Sequence, residues 1–373
     1  MTPPIRILTL AALALAARAA AAQPLTPMED LGRNLYFDTN LSEPAGQACA
    51  SCHEPAFGFA EPDRSLPVSE GVIPGRFGTR NAPSASYAVF FPPFTLKSGI
   101  RGGQFWDGRA ANLTEQAKGP FLNPVEMNNV SRAQVLGKVC TSAYATLFQA
   151  VCGPAACPAA NVDATYQCMA ASIAAFESTP LFFPFDSKFD FVQSGLAQFT
   201  PQEAAGWALF TGRGKCGHCH TAKAGGGAPV IFTDAGFHNI GVPSNSEFPF
   251  NLLGPGFVDL GLGGRPDIAD PGQYGKFKTT HVRNVALTPP YMHNGVLKTL
   301  KQVVHFYNTR DVLPRCDASL GSLDPNFGVS CWPPPALAAT MDSSFLGNLG
   351  LTAAEEDSLV AFLTTLTDGY TPP

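Results

Sequence analysis

A chain of 373 residues with a formal charge of −5 and only 14% charged side chains carries no basic surplus, which argues against a nucleic-acid binder. Its 36 glycines and 34 prolines suit a loop-rich fold wrapped around large apolar groups better than a regular sheet protein, and its length allows two or three domains.

The chain opens with Arg6, an apolar run over 7–16, and the small-residue tract Ala20-Ala21-Ala22-Gln23. This is the pattern of a secretory signal peptide cut after Ala22. The alternative, a membrane anchor, needs roughly 20 apolar residues, and the run is shorter than that. The sequence therefore predicts that residues 1–22 are a leader and that the mature chain is exported, in a bacterium to the periplasm. Loss of Arg6 and Arg18 leaves 22 basic against 29 acidic residues, a formal charge of −7. No later segment is long and apolar enough to span a bilayer.

Next, Thr26-Pro27-Met28-Glu29 has the form of a capping box with proline in the first turn, predicting a helix over 29–37. It leads to Cys49-Ala50-Ser51-Cys52-His53. The spacing C-x-x-C-H lets two thiols on one turn add to the two vinyl groups of a haem, while the adjacent imidazole reaches the iron. A zinc site or redox dithiol also uses paired cysteines, but zinc needs further ligands and a dithiol has no use for the histidine. Further on come Arg80-Asn81, Trp106-Asp107-Gly108, Leu113 and Pro120, and then an apolar helix predicted over 166–177.

A phenylalanine- and proline-rich stretch over 179–200 marks a boundary, with so many aromatic residues that it is expected to be packed. The design then repeats. Thr200-Pro201-Gln202-Glu203 is a second capping box and predicts a helix over 203–210. Cys216-Gly217-His218-Cys219-His220 is a second C-x-x-C-H. Arg283-Asn284 corresponds to Arg80-Asn81, His293-Asn294-Gly295 to Trp106-Asp107-Gly108, and Leu300 to Leu113. In that register Tyr307 stands opposite Pro120. A last apolar helix is predicted over 353–366. The reading is an all-α, loop-rich pair of c-type cytochrome domains packed together, 23–185 and 186–373, each with one covalently attached haem.

Of ten cysteines, six lie outside the haem motifs. An oxidising compartment favours disulfides, and six cysteines allow fifteen pairings. Chain proximity suggests Cys316 with Cys331; among the other four, Cys152 with Cys157 and Cys140 with Cys168 is the expected pairing.

The two C-x-x-C-H motifs, Phe105-Trp106-Asp107-Gly108-Arg109, Glu115-Gln116-Ala117, Pro124-Val125-Glu126-Met127 and Leu287-Thr288-Pro289-Pro290-Tyr291-Met292-His293-Asn294-Gly295 together resemble the bacterial diheme cytochrome c peroxidase and MauG family. The resemblance spans nearly all of the mature chain. It implies a peroxidatic haem held by Cys49, Cys52 and His53, and a charge-storing haem held by Cys216, Cys219 and His220. It further implies Trp106 as the relay between the haems, Gln116 and Glu126 as the distal amide and carboxylate, and Asn81, Thr288 and Pro290 as ligands of a calcium ion between the domains. Asn, Thr and Pro are also ordinary turn residues, although amide and carbonyl oxygens do suit calcium.

Within that family the sixth iron ligands divide the members. The seven histidines are His53, His218, His220, His238, His281, His293 and His305, and none lies between His53 and His218. The first iron is therefore expected to stay open unless the other domain supplies an imidazole. On the second, the repeat register offers Tyr307, as in MauG-like members, with Met292 and His293 as neighbouring rivals. The resemblance then implies an enzyme that uses hydrogen peroxide to reach a high-valent two-haem state and oxidises a protein partner. The alternatives are peroxide detoxification with a small cytochrome c or cupredoxin as donor, and a non-enzymatic diheme electron carrier, which needs both irons six-coordinate.

Overall fold

The computed structural model describes residues 24–97, 99–222, 229–254 and 256–372, so the predicted leader over 1–22 lies outside the described residues. From the N-terminal end come α1 (Pro27–Phe37), α2 (Cys49–Cys52), α3 (Leu113–Ala117), α4 (Arg132–Cys140), α5 (Ala145–Cys152) and α6 (Val162–Glu177). After them follow α7 (Lys188–Gln193), α8 (Pro201–Thr211), β1 (Phe237–His238), β2 (Phe277–Lys278), α9 (Leu300–Thr309) and α10 (Ala353–Thr364). Both expected capping boxes form. Thr26 Oγ1 accepts from the Glu29 N–H while Glu29 accepts from the Thr26 N–H, and Thr200 and Glu203 repeat the exchange.

α1 packs on α6, and α8 packs on α10. Each crossing is made backbone to backbone. A Cβ on Gly32 would fall 1.9 Å from the Ser172 carbonyl oxygen, and one on Gly206 would fall 1.9 Å from that of Ser358. Glycine inside a helix costs about 1 kcal/mol relative to alanine, and here it is what allows the two helices to meet. One apolar cluster gathers Leu31, Leu35, Tyr36, Phe121, Phe148, Ile173 and Phe176. A second gathers Phe189, Phe210, Phe232, Leu359, Phe362 and Leu363, with a satellite around Trp332 and Phe306.

The phenylalanine-rich stretch is packed as expected: Phe182 is fully buried and stacks on Phe59 with centroids 4.1 Å apart. It also contains a helix that the sequence reading lacks, α7, capped by Ser187 and Asp190. Asp190 meets the buried Arg283 guanidinium at 2.5 Å.

Three expectations need correction. The fold is helix-rich but not all-α, because β1 and β2 pair antiparallel, Phe237 with Lys278 and His238 with Phe277. Two-residue strands are too short to show a period of two in sequence. The disulfides are Cys140–Cys157 and Cys152–Cys168, alongside the expected Cys316–Cys331. Cys152 ends α5, which packs on α6, the helix carrying Cys168, while the loop after α5 returns Cys157 to the end of α4. Helix packing, not chain proximity, chose the partners. Finally, the counterpart of Asn284 is Tyr87 and not Asn81. Both have a left-handed backbone (φ 59° and 56°), both precede a 3-10 turn, and their N–H groups donate to Leu366 and Phe182 respectively. The register holds from Phe105 to Leu113. Phe105 and Met292 share positive φ, Gln104 bridges Ala110 as Tyr291 bridges Leu297, and Leu113 and Leu300 each begin a helix.

Candidate functional site

Both C-x-x-C-H motifs sit on single turns directed by the preceding helix. The imidazole Nδ1 of His53 lies 3.3 Å from the Phe59 carbonyl, and that of His220 lies 3.1 Å from the Phe232 carbonyl. Phe59 and Phe232 share a left-handed backbone, φ 56° and 57°, which turns each carbonyl toward its ring. A carbonyl on Nδ1 fixes the tautomer and leaves Nε2 as the ligand atom. Burial lowers the pKa of both rings, so both stay neutral, as an iron ligand must be. Cys49, Cys52, Cys216 and Cys219 are the four cysteines outside disulfides. This donor set fits two covalently attached haems.

Beside the second motif lies a cavity of about 600 Å³, lined by Cys216, Cys219, His220, Tyr307 and Met292 among others. Tyr307 projects from α9 into it, and among the described residues its hydroxyl has no hydrogen-bond partner. Burial raises its pKa well above the ordinary phenol value, and charge on Cys219 and Cys216 would push it the same way. The cavity's size, its two thiols and its imidazole are what a covalently attached haem requires, and Tyr307 lines the same space. The rival His293 is committed elsewhere. Its ring stacks on Phe277 at 3.6 Å and meets Trp106 edge-on at 6.4 Å, and burial lowers its pKa to about 4.

Gln116 lies on α3, and Glu126 lies in the turn that follows Pro120. The Met127 N–H donates to the Pro120 carbonyl and the Gly119 N–H to that of Gln116, so one short segment presents both side chains. Glu126 Oε1 accepts from Asn123 Nδ2 at 2.8 Å. Burial raises the Glu126 pKa, against the pull of Asn123 and of the Arg109 charge. Its own charge acts on both Cys49 and Cys52, so it faces the first motif. Asn123 and Arg109 were not read as site residues, although Asn123 stands only three positions before Glu126.

Trp106 belongs to the first half of the chain but lines the cavity of the second motif. Its Nε1 donates to the Asn81 carbonyl at 2.8 Å, and its own carbonyl accepts from the Lys278 N–H at 2.8 Å. Around it, Arg80 bridges Asp107 and Asp259, both at 2.6 Å, which ties residues far apart in sequence. Lys278 is buried with its Nζ 2.6 Å from the Gly103 carbonyl, and burial lowers its pKa to about 7. Neither this clamp nor Lys278 was legible in sequence, since each depends on contacts across more than 150 positions. Asn81, Thr288 and Pro290 are brought together as well. They line a cavity of about 110 Å³ with Trp106 at its wall.

A family model for di-haem cytochrome c peroxidase matches residues 26–198. The chain is 39% identical over 378 residues to methylamine utilization protein MauG of Paracoccus denitrificans, covering 98% of this chain and 96% of that one. It is 31% identical over 300 residues to cytochrome c551 peroxidase of Pseudomonas aeruginosa, covering 76% and 72%. Among solved structures, the diheme peroxidase BthA from Burkholderia thailandensis superposes with a TM-score of 0.76 at 33% identity, over 94% of this chain and 88% of that one. A MauG-like protein associated with microbial copper homeostasis superposes with a TM-score of 0.68 at 29% identity, over 92% and 90%.

Proposed function

The chain belongs to the di-haem cytochrome c peroxidase and MauG family of oxidoreductases, and on that premise we propose that it takes oxidising equivalents from hydrogen peroxide and delivers them to a protein partner. We assign one haem to 23–185 and the other to 186–373, and place the protein in the periplasm on the strength of the leader over 1–22. The haems, when bound, supply the redox centres for peroxide reduction and charge storage.

The chain's own groups divide the remaining work. Glu126, half-buried and with a raised pKa, takes a proton from bound peroxide and returns it to the departing oxygen. Gln116 orients the peroxide beside it. Pro120 stands where Tyr307 stands in the other half, and a prolyl ring offers no ligand atom, so the first site is left open to peroxide. Trp106 places an indole between the two sites, held at both its N–H and its carbonyl. Asn81, Thr288 and Pro290 hold calcium through oxygen atoms at the junction.

The observation that carries the MauG-like reading is the unpaired Tyr307 hydroxyl in the second cavity. A phenolate ligand favours higher iron oxidation states and suits a site that stores an oxidising equivalent. Absorption and EPR spectra of the ferric protein and of Tyr307→Phe test it: the variant must lose the six-coordinate signature of the second haem, and unchanged spectra would remove Tyr307 from the ligand set. A second reading, peroxide detoxification with a small cytochrome c or cupredoxin as donor, draws support from the likeness to cytochrome c551 peroxidase. Comparing the rates at which candidate donors consume the oxidised protein separates the two.

A further inference from the structure

The two halves place different chemistry at one equivalent position. Gly32 and Gly206 make the same helix crossing, so Tyr36, four residues on in α1, corresponds to Phe210 in α8. Hypothetical Cβ atoms on these glycines meet Phe176 and Phe362, and the next residues are Glu177 and Leu363. The register holds two positions further, where the Thr179 N–H donates to Phe176 and the Thr365 N–H to Phe362. The second half is therefore apolar, Phe210 and Leu363, where the first carries Tyr36 and Glu177.

Glu177 is 7% exposed, and its Oε2 has no hydrogen-bond partner among the described residues. The Thr179 hydroxyl beside it is also buried without a partner, whereas Thr365 Oγ1 donates to Phe362 at 2.7 Å. An unpaired buried acid costs stability, and as the last residue of α6 it also sits at the end of a helix where the dipole opposes an anion. Packing explains Leu363 and does not explain Glu177. The groups facing the carboxyl are the Tyr36 hydroxyl from α1, itself donating to the His53 carbonyl at 2.8 Å, and the Cys49 thiol from α2. No described cation acts on it. Burial alone raises its pKa to about 8, where protonation is easily reversed.

We propose that Glu177 is a redox-linked proton site for the haem at Cys49, Cys52 and His53. When that site gains one electron from a donor, the Glu177 carboxylate takes up one proton from solvent. When the electron leaves, the proton returns to solvent, and the carboxylate offsets the added positive charge. The inference rests on haem attachment at the first motif.

The test is a spectroelectrochemical titration of the first haem against pH in the intact two-haem protein, with Glu177→Gln, Glu177→Leu and Glu126→Gln alongside. In the parent and in Glu126→Gln the midpoint potential should fall as pH rises through the Glu177 titration. Both Glu177 variants should flatten it. Redox-difference infrared spectra should show a protonated-carboxyl band that Glu177→Gln removes. A fall that survives in Glu177→Gln, or vanishes in Glu126→Gln, overturns the assignment. Haem counting on the same samples keeps the readings apart: fewer than two haems overturns the premise, and two haems with a pH-independent parent potential overturns Glu177.

Discussion

The indole N–H of Trp106 donates to the carbonyl oxygen of Asn81 at 2.8 Å, and the Asn81 N–H donates to the carbonyl of His293 at 2.7 Å. The indole is thus fixed to a residue whose backbone is tied to the repeat counterpart of Trp106 itself. Replacing Trp106 by Phe keeps an aromatic ring but loses this tether and the more easily oxidised indole. Charge exchange between the sites should slow at least tenfold, which corresponds to a barrier higher by about 1.4 kcal/mol. Stopped-flow absorption after one equivalent of peroxide reads it, and an unchanged rate for the second haem would exclude Trp106 from the path.

The proposed calcium ion would give Asn81 a second duty, as a ligand with Thr288 and Pro290. Removing the ion with a chelator should therefore disturb Trp106 through the Asn81 carbonyl, not only loosen a distant loop. The expected result is slower transfer to the second haem with peroxide binding at the first little changed, restored when calcium is added back. Equal rates with and without chelator would leave these residues as turn formers.

How much of this was legible in sequence follows from the range of the forces. The haem motifs and the two capping boxes before α1 and α8 are local, and spacing alone carried them. Tyr307 was singled out because a duplicated design lets one half be read against the other. The same comparison misplaced Asn284, since an Arg-Asn pair recurs by coincidence while the conserved feature is a left-handed backbone that different residues, Tyr87 and Asn284, can adopt. The Arg80–Asp259 clamp and the Cys152–Cys168 bridge depend on which helices and loops pack together, and no local pattern encodes that.

Glu126 should govern the acid limb of the reaction. Burial raises its pKa above the ordinary carboxylate range, so the proton-accepting carboxylate is lost as pH falls through that raised value. The rate of peroxide consumption should decline over a pH range higher than a solvent-exposed glutamate would give. Glu126→Gln should slow it by roughly 10²–10⁴-fold and abolish that limb. A slowing under about threefold would remove Glu126 from the mechanism.

The remaining prediction is that the fully oxidised protein reacts with peroxide as isolated, without prior reduction. Five histidines lie outside the two motif positions, and four of them are engaged elsewhere. His218 packs on Phe345, His238 meets Asp234 at 3.2 Å, His293 stacks on Phe277, and His305 meets Glu356 at 2.9 Å. His281 does reach the first half of the chain, but among Tyr87 and Phe91 at the junction cavity rather than beside Gln116 and Glu126. Met127 and Met169 are buried in the first apolar cluster, and thioether ligation of ferric haem is generally weaker than imidazole ligation. Mixing ferric protein with one equivalent of peroxide should change the haem spectrum at once. If the spectrum stays still until one electron per molecule is supplied, a ligand closes the first iron, and the protein works as a reductively activated peroxidase.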